Sequence, residues 1–120
     1  MALRGIRGAI TVEENSQKAI WNAAQFLITE ILSANQIHPD TVGAVIFSCT
    51  KDLNAAFPAG GVRQLPNFQY LPLFDTQEMD VEGSMQKCIR VLVLADVDKT
   101  LHELCHVYLG DAKKLRPDLD

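Results

Sequence analysis

Long apolar runs are missing from this sequence: none approaches the roughly 20 residues that a membrane-spanning helix needs. The N-terminus also lacks the apolar core of a secretory signal. A basic excess is missing too. Lys and Arg total 11 against 15 Asp and Glu, and the formal net charge is -4. A broad nucleic-acid or anionic-membrane surface calls for the opposite balance, so any anion site has to be a local cluster of arginine or lysine. Cysteine is scarce and unpatterned. Cys49, Cys88 and Cys105 are odd in number and show neither metal-finger nor Cys-x-x-Cys spacing. They read as free thiols of a reducing cytoplasm, with Cys49 and Cys88 as core filler. Repeats and low-complexity segments are absent. What remains is one compact domain over residues 1–120 with an ordinary globular balance, 48% hydrophobic and 22% charged.

The most apolar stretch, Cys88-Ile89-Arg90-Val91-Leu92-Val93-Leu94-Ala95, contains one charge. Strand alternation places Cys88, Arg90, Leu92 and Leu94 on one face and Ile89, Val91, Val93 and Ala95 on the other. Both faces are otherwise apolar, which predicts a buried strand. A guanidinium keeps its charge, and burying it unpaired costs several kcal/mol. Arg90 therefore needs a negative partner. That partner is either a carboxylate in a structural ion pair or an anionic ligand.

Around this strand the pattern predicts a first strand over residues 3–11. A helix capped by Asn15 or Ser16 follows and runs to about Asn35. Its buried stripe is Ile20, Ala23, Ala24, Leu27, Ile31 and Ala34. Trp21 and Phe26 fall outside the stripe, at its edges or against another subunit. Residues 41–50 read as a buried strand. Residues 54–65, interrupted by Phe57-Pro58-Ala59-Gly60-Gly61, allow only short helical turns. A third strand is predicted over residues 68–73, with Pro72 at an edge or bulge. Residues 74–83 then form a polar connection. Residues 87–97 and 106–109 are the last strands, and residues 111–120 a charged tail. The class is α+β, a mixed sheet of about five strands with one long helix. One helix cannot cover both faces of such a sheet, so subunits are expected to cover each other.

His102-Glu103-Leu104-Cys105-His106 fits the zinc-protease pattern His-Glu-x-x-His. That chemistry needs both histidines on one helical face and a further ligand. Val107-Tyr108-Leu109 favours a strand instead. The competing expectation is a helical turn followed by a strand, with His102 exposed.

Several blocks, taken together, resemble one family. They are Arg4-Gly5-Ile6-Arg7-Gly8-Ala9-Ile10-Thr11-Val12-Glu13, Asp52-Leu53 with Ala56-Phe57-Pro58-Ala59, Val62-Arg63, and Gln77-Glu78-Met79-Asp80-Val81. Cys88-Ile89-Arg90-Val91, His106-Val107-Tyr108-Leu109 and Leu115-Arg116-Pro117-Asp118-Leu119 complete the set. Their order and spacing resemble the AroH-class chorismate mutases over nearly the whole chain. The resemblance implies conversion of chorismate to prephenate, an isomerisation on the route to phenylalanine and tyrosine. It also implies a cytoplasmic homotrimer with a pseudo-α/β barrel core, active sites at subunit interfaces, and no metal or cofactor. Nucleic acid and membrane are not implied partners.

By the same resemblance, Arg90 meets the ether oxygen and Arg7 the side-chain carboxylate, with Tyr108 contacting the same region. Glu78 accepts a hydrogen bond from the ring hydroxyl. Arg63 and Arg116 lie near the other carboxylate, Arg116 on a mobile tail. Phe57, Ala59 and Leu115 form the walls. The chain departs from the family pattern at Asp75, where a cysteine or small polar residue is usual, at Gly60, where a lysine occurs, and at the bulky Phe74 beside the pocket. The alternatives are a trimeric hydrolase or deaminase with Glu78 as base, a non-catalytic anion-binding trimer, and the zinc hydrolase.

Overall fold

The computed structural model describes residues 2–115. They form β1 (Ala2–Thr11), α1 (Gln17–Ala34), β2 (Val42–Cys49), α2 (Pro58–Val62), β3 (Leu73–Gln77), β4 (Cys88–Val97) and β5 (Val107–Leu109). Among the described residues the five strands make one mixed sheet in the order β3-β2-β4-β1-β5. β4 is central and antiparallel to both β1 and β2. β3 and β5 add in parallel at the two edges.

Alternation gives this sheet two different sides. Ile6 and Ile10 of β1, Val45 and Phe47 of β2, and Ile89, Val91, Val93 and Ala95 of β4 are buried together beneath α1. Each such side chain, fully buried, contributes about 1.5–3 kcal/mol for a Val, Leu, Ile or Phe. The neighbouring residues Ala44, Ile46, Leu92 and Leu94 turn to the other side and are only half-buried. No described helix lies across them.

Ser16 starts α1 by accepting a 3.1 Å hydrogen bond from the Ala19 amide, which satisfies one of the helix's free N–H groups. Ile20, Ala24, Leu27, Ile28, Ile31 and Leu32 form its buried stripe. Ala34 is exposed and Ala23 half-buried, so the stripe bends towards Ile28 and Leu32 relative to the sequence expectation. The larger aliphatics are the residues that turn to the sheet. Gly8 sets how closely helix and sheet meet. A Cβ there would lie 2.7 Å from Ile31 Cδ1 and 2.9 Å from the Val107 carbonyl oxygen. Asn35 then ends the helix and anchors the chain leading into β5. Its amide nitrogen donates to the carbonyls of Ile31 (2.8 Å) and Cys105 (2.9 Å), and its oxygen accepts from the Cys105 amide (2.8 Å). Fully bonded in this way, a buried amide is not left to bear its desolvation cost.

The third strand departs from the sequence expectation. Residues 68–71 are turns, and β3 begins at Leu73, inside the stretch expected to be a polar connection. Pro72 has no N–H to give a ladder, but its carbonyl accepts from the Val45 amide at 2.9 Å, and pairing follows directly after it. β3 is an edge strand, and an edge tolerates the polar Asp75, Thr76 and Gln77 that hid it from a hydrophobic pattern. Beyond β5, residues 110–115 form 3₁₀ turns that bury Ala112. Arg116 and the rest of the expected tail lie outside the described residues.

Candidate active site

The open side of the sheet gathers the chemistry-bearing residues. Ser48 pairs with Arg90, Arg90 with Ala9, and Ala9 with Tyr108, so these four form one row across β2, β4, β1 and β5. Arg7 lies two residues along β1 on the same side, opposite Leu92. The small Ala9 leaves a gap between the guanidinium of Arg90 and the ring of Tyr108. Arg7, Ala9, Ile46, Ser48, Arg90 and Tyr108 line a pocket of about 330 Å³, together with Leu115.

Glu78 reaches this row from just beyond β3. Its amide donates to the Cys49 carbonyl at 2.9 Å, which extends the β2–β3 ladder by one residue. Its Oε1 accepts from the Ser48 hydroxyl at 2.6 Å and lies 3.6 Å from Arg90 Nε. At that separation Arg90 and Glu78 are an ion pair rather than a hydrogen-bonded one. Arg90 Nε is buried and has no hydrogen-bond partner among the described residues. The side chain is 40% exposed, so the strand buries the base of the arginine and leaves its tip open to the pocket. Of the two expectations for Arg90, the structure supplies the carboxylate partner, and its Nε keeps an unfilled hydrogen bond.

Arg7 and Tyr108 are fixed from behind. The Arg7 amide donates to His106 Nδ1 at 2.9 Å, so a side chain completes the β1–β5 ladder one residue before backbone pairing starts at Gly8 and Val107. Tyr108 packs with Met85 and Leu115 on a small cluster of Ala9, Cys88 and Ala112. Burial pushes the Cys88 thiol up, against the opposing influence of Arg90, which suits core filler.

The remaining predicted residues gather elsewhere. Phe57, Gly60, Arg63 and Asp75 line a separate pocket of about 760 Å³, bordered by α1, the β2–α2 loop, α2 and β3. It shares no lining residue with the first pocket. Phe57 is exposed at the start of α2 and Arg63 at its end, while Ala59 is buried beneath them. Asp75 pairs with Phe47 and so lies on the helix side of the sheet, whereas its neighbour Phe74 pairs with Ile46 and projects from the open side. Asp75 Oδ1 accepts from the Ala59 amide at 3.2 Å. Burial pushes its carboxyl above the ordinary value, and the Ala59 bond and Arg63 pull it back.

The zinc-like motif is not one helix. Leu101–Glu103 is a single 3₁₀ turn, Leu104 is extended, and His106 stands at the entry to β5. Glu103 closes a capping box with Thr100, accepting from its amide at 2.8 Å, which lowers the carboxyl's proton affinity. His102 is exposed. The Glu and both histidines therefore serve the local fold or solvent rather than a shared metal face.

Sequence reasoning missed Ser48. A lone hydroxyl in an otherwise apolar strand, on the face that alternation assigns to Arg90, was the available signal. It also missed His106 as the acceptor for Arg7.

Known proteins match the chain along nearly its full length. The family model for chorismate mutase type I covers residues 3–119. A chorismate mutase AroH of Bacillus subtilis (strain 168) is 43% identical over 119 residues, spanning 99% of this chain and 94% of the relative. The AroH of Thermus thermophilus is 45% identical over 119 residues, spanning 98% and 97%. The solved chorismate mutase from Clostridium thermocellum superposes with a TM-score of 0.89 at 40% identity, covering 92% of this chain and 98% of that one. Matched in sequence from end to end and in the architecture that carries the arginine row, this chain belongs to the type I, AroH-class chorismate mutases.

Proposed function

We propose that the chain isomerises chorismate to prephenate at a site composed of the arginine row of one subunit and the larger pocket of a neighbour, within a cytoplasmic homotrimer. The observation that carries this reading is the row itself. Arg90 is preorganised in a strand, its Nε unspent, with Arg7 and Tyr108 beside it.

The reaction breaks a C–O bond and forms a C–C bond within one molecule, and no atom enters or leaves. It needs no nucleophile and no base. Two devices suffice. Holding the flexible substrate in its reactive shape removes much of the entropic barrier. A fixed cation at the ether oxygen stabilises the negative charge that grows there, the most effective use of such a group in a dry site. In this reading Arg90 is that cation. Glu78, oriented by Ser48, accepts from the ring hydroxyl, and its charge favours the ring as it becomes positive. Arg7 binds the side-chain carboxylate through its planar fork, with Tyr108 alongside.

The second carboxylate falls to Arg63 and to Arg116, which lies outside the described residues. Phe57, Ala59, Phe74, Asp75 and Leu115 form or support the walls. Two facts support an interfacial site. The predicted residues divide between two pockets of one chain, and the open side of the sheet keeps Ile46, Leu92 and Leu94 only half-covered. A subunit laid on that side supplies what one chain lacks.

The test is chorismate consumption by the purified protein in excess chelator, with prephenate identified by its acid conversion to phenylpyruvate. Turnover insensitive to chelator is expected. A folded protein that leaves chorismate unchanged would overturn the reading. Sedimentation equilibrium tests the trimer separately.

A further inference from the structure

The chain has a single tryptophan, Trp21, which packs against the edge of the core and also makes a polar contact. Trp21 lies on the edge of α1, half-buried, and lines the larger pocket. Its indole Nε1 donates to the Phe57 carbonyl at 3.0 Å. One turn along the same face, Gln25 Nε2 donates to the Gly61 carbonyl at 2.8 Å. The two bonds hold the backbone of the α2 segment near both of its ends.

That segment cannot hold itself. α2 has five residues, well below the length at which a helix is stable alone. Its N-cap, Phe57, makes no side-chain capping bond. The residues expected to meet substrate, Phe57 and Arg63, flank this short helix and are exposed, so their own side chains do little to fix it. Two glycines let it settle onto the indole. A Cβ at Gly61 would lie 2.8 Å from Trp21 Cα and Cβ, and one at Gly60 would lie 3.1 Å from the indole nitrogen. The first contact is short enough to force a shift and the second asks the indole to give by a few tenths of an ångström, so α2 lies directly against Trp21.

We propose that Trp21, seconded by Gln25, is a positioning residue for the substrate wall: it sets where Phe57 and Arg63 stand in the larger pocket. This rests on the reading above that Phe57 and Arg63 contact substrate. Both would bind ground state and transition state alike, so misplacing them raises KM and leaves kcat nearly unchanged.

The experiment is steady-state kinetics with chorismate, alongside thermal denaturation, for Trp21→Phe, Gln25→Met, Arg63→Ala and Phe57→Ala. Trp21→Phe keeps most of the ring and loses the N–H. Loss of one such hydrogen bond corresponds to about a fivefold rise in KM, with kcat within about twofold of the parent's by the uniform-binding argument. Gln25→Met is expected to move KM the same way. A purely structural tryptophan would lower the melting temperature and leave the KM of the folded enzyme at the parent value, which overturns the proposal. Parent-like KM in Trp21→Phe and Gln25→Met, with KM raised in Arg63→Ala, overturns it while sparing the composite site. Parent-like KM in both Arg63→Ala and Phe57→Ala overturns the composite site and this inference with it. Should Trp21→Phe fail to fold, Gln25→Met decides by the same criterion.

Discussion

The two sides of the sheet are built from the same strands and do opposite things. Under α1, Ile89 and Val91 are buried among aliphatics. Between them in sequence, Arg90 faces outward with a carboxylate at 3.6 Å. One residue of alternation separates a position that supplies stability from one that, in the proposed reading, supplies chemistry. Beneath α1 the helix side is a packed apolar core, with Asp75 only at its β3 edge. The open side is half-covered and carries Arg7 and Arg90. Stability and catalysis should therefore respond to different substitutions in adjacent residues, and four changes test how clean that division is.

The largest effect is expected from Phe47→Ala. Phe47 is fully buried on the helix side, and truncating such a residue costs about 3–5 kcal/mol. Chemical denaturation should show this loss, while kcat of the folded fraction stays near the parent value. A large fall in kcat from the folded fraction would break the division. Next comes Arg90→Ala. Turnover should fall roughly 10²–10³-fold or more, the scale of losing one key electrostatic donor, with the melting temperature little changed. A folded variant retaining near-full turnover would remove Arg90 from the site.

Gly8→Ala sharpens the comparison because Gly8 touches both functions. Its new Cβ would press on Ile31 and on the Val107 carbonyl. Overpacking of this kind costs about 1–3 kcal/mol, and the displaced β5 carries Tyr108. Stability and turnover should fall together here; loss of stability alone would mean that β5 yields without moving its tyrosine.

The smallest effect is expected from Asp75→Asn. The asparagine oxygen still accepts from the Ala59 amide, but the charge is gone. Burial raises the Asp75 carboxyl above its ordinary 3.8, so the folded chain binds this proton more tightly than the unfolded chain does. Stability from this group is present below the ordinary value and is lost as pH rises through the raised one. The variant should therefore melt slightly higher than the parent at pH 7, and the advantage should vanish at low pH. An advantage that grows on acidification would reverse the assignment. Its turnover should change far less than that of Arg90→Ala; comparable losses would move Asp75 into the reacting centre.

Most of the architecture was legible because its signals are local. The alternation of β4 and β1, the Ser16 cap and the break at Pro39 each act within a few residues. β3 was not legible. It is a short parallel edge strand whose residues are mostly polar, and only its pairing with β2 defines it. Ala34 was misplaced because it continues the count from Leu27 and Ile31 but is the last residue of α1, where the buried face has run out. For the candidate site, the apolar strand marked Arg90, and the family resemblance supplied the rest by block. Its division between two pockets was invisible because no periodicity records which side of which edge a loop will face. Ser48 and His106 act by meeting groups 30 and 99 residues away, contacts that appear only once the sheet is assembled.

The pairing of β1 with β5 has a kinetic consequence. β5 has three residues, held in register by Asn35, by His106 and by parallel pairing with a strand from the opposite end of the sequence. Parallel pairing over such a separation is among the last gains a folding chain can collect, since the loop must close before the contacts reward it. Arg7 and Tyr108 come together only at that step. An intermediate with the helix docked and the central strands paired would look native by circular dichroism and still lack Tyr108 beside its arginines. Recovery of activity after dilution from denaturant is thus a clock for the closing of the sheet, set to its final event.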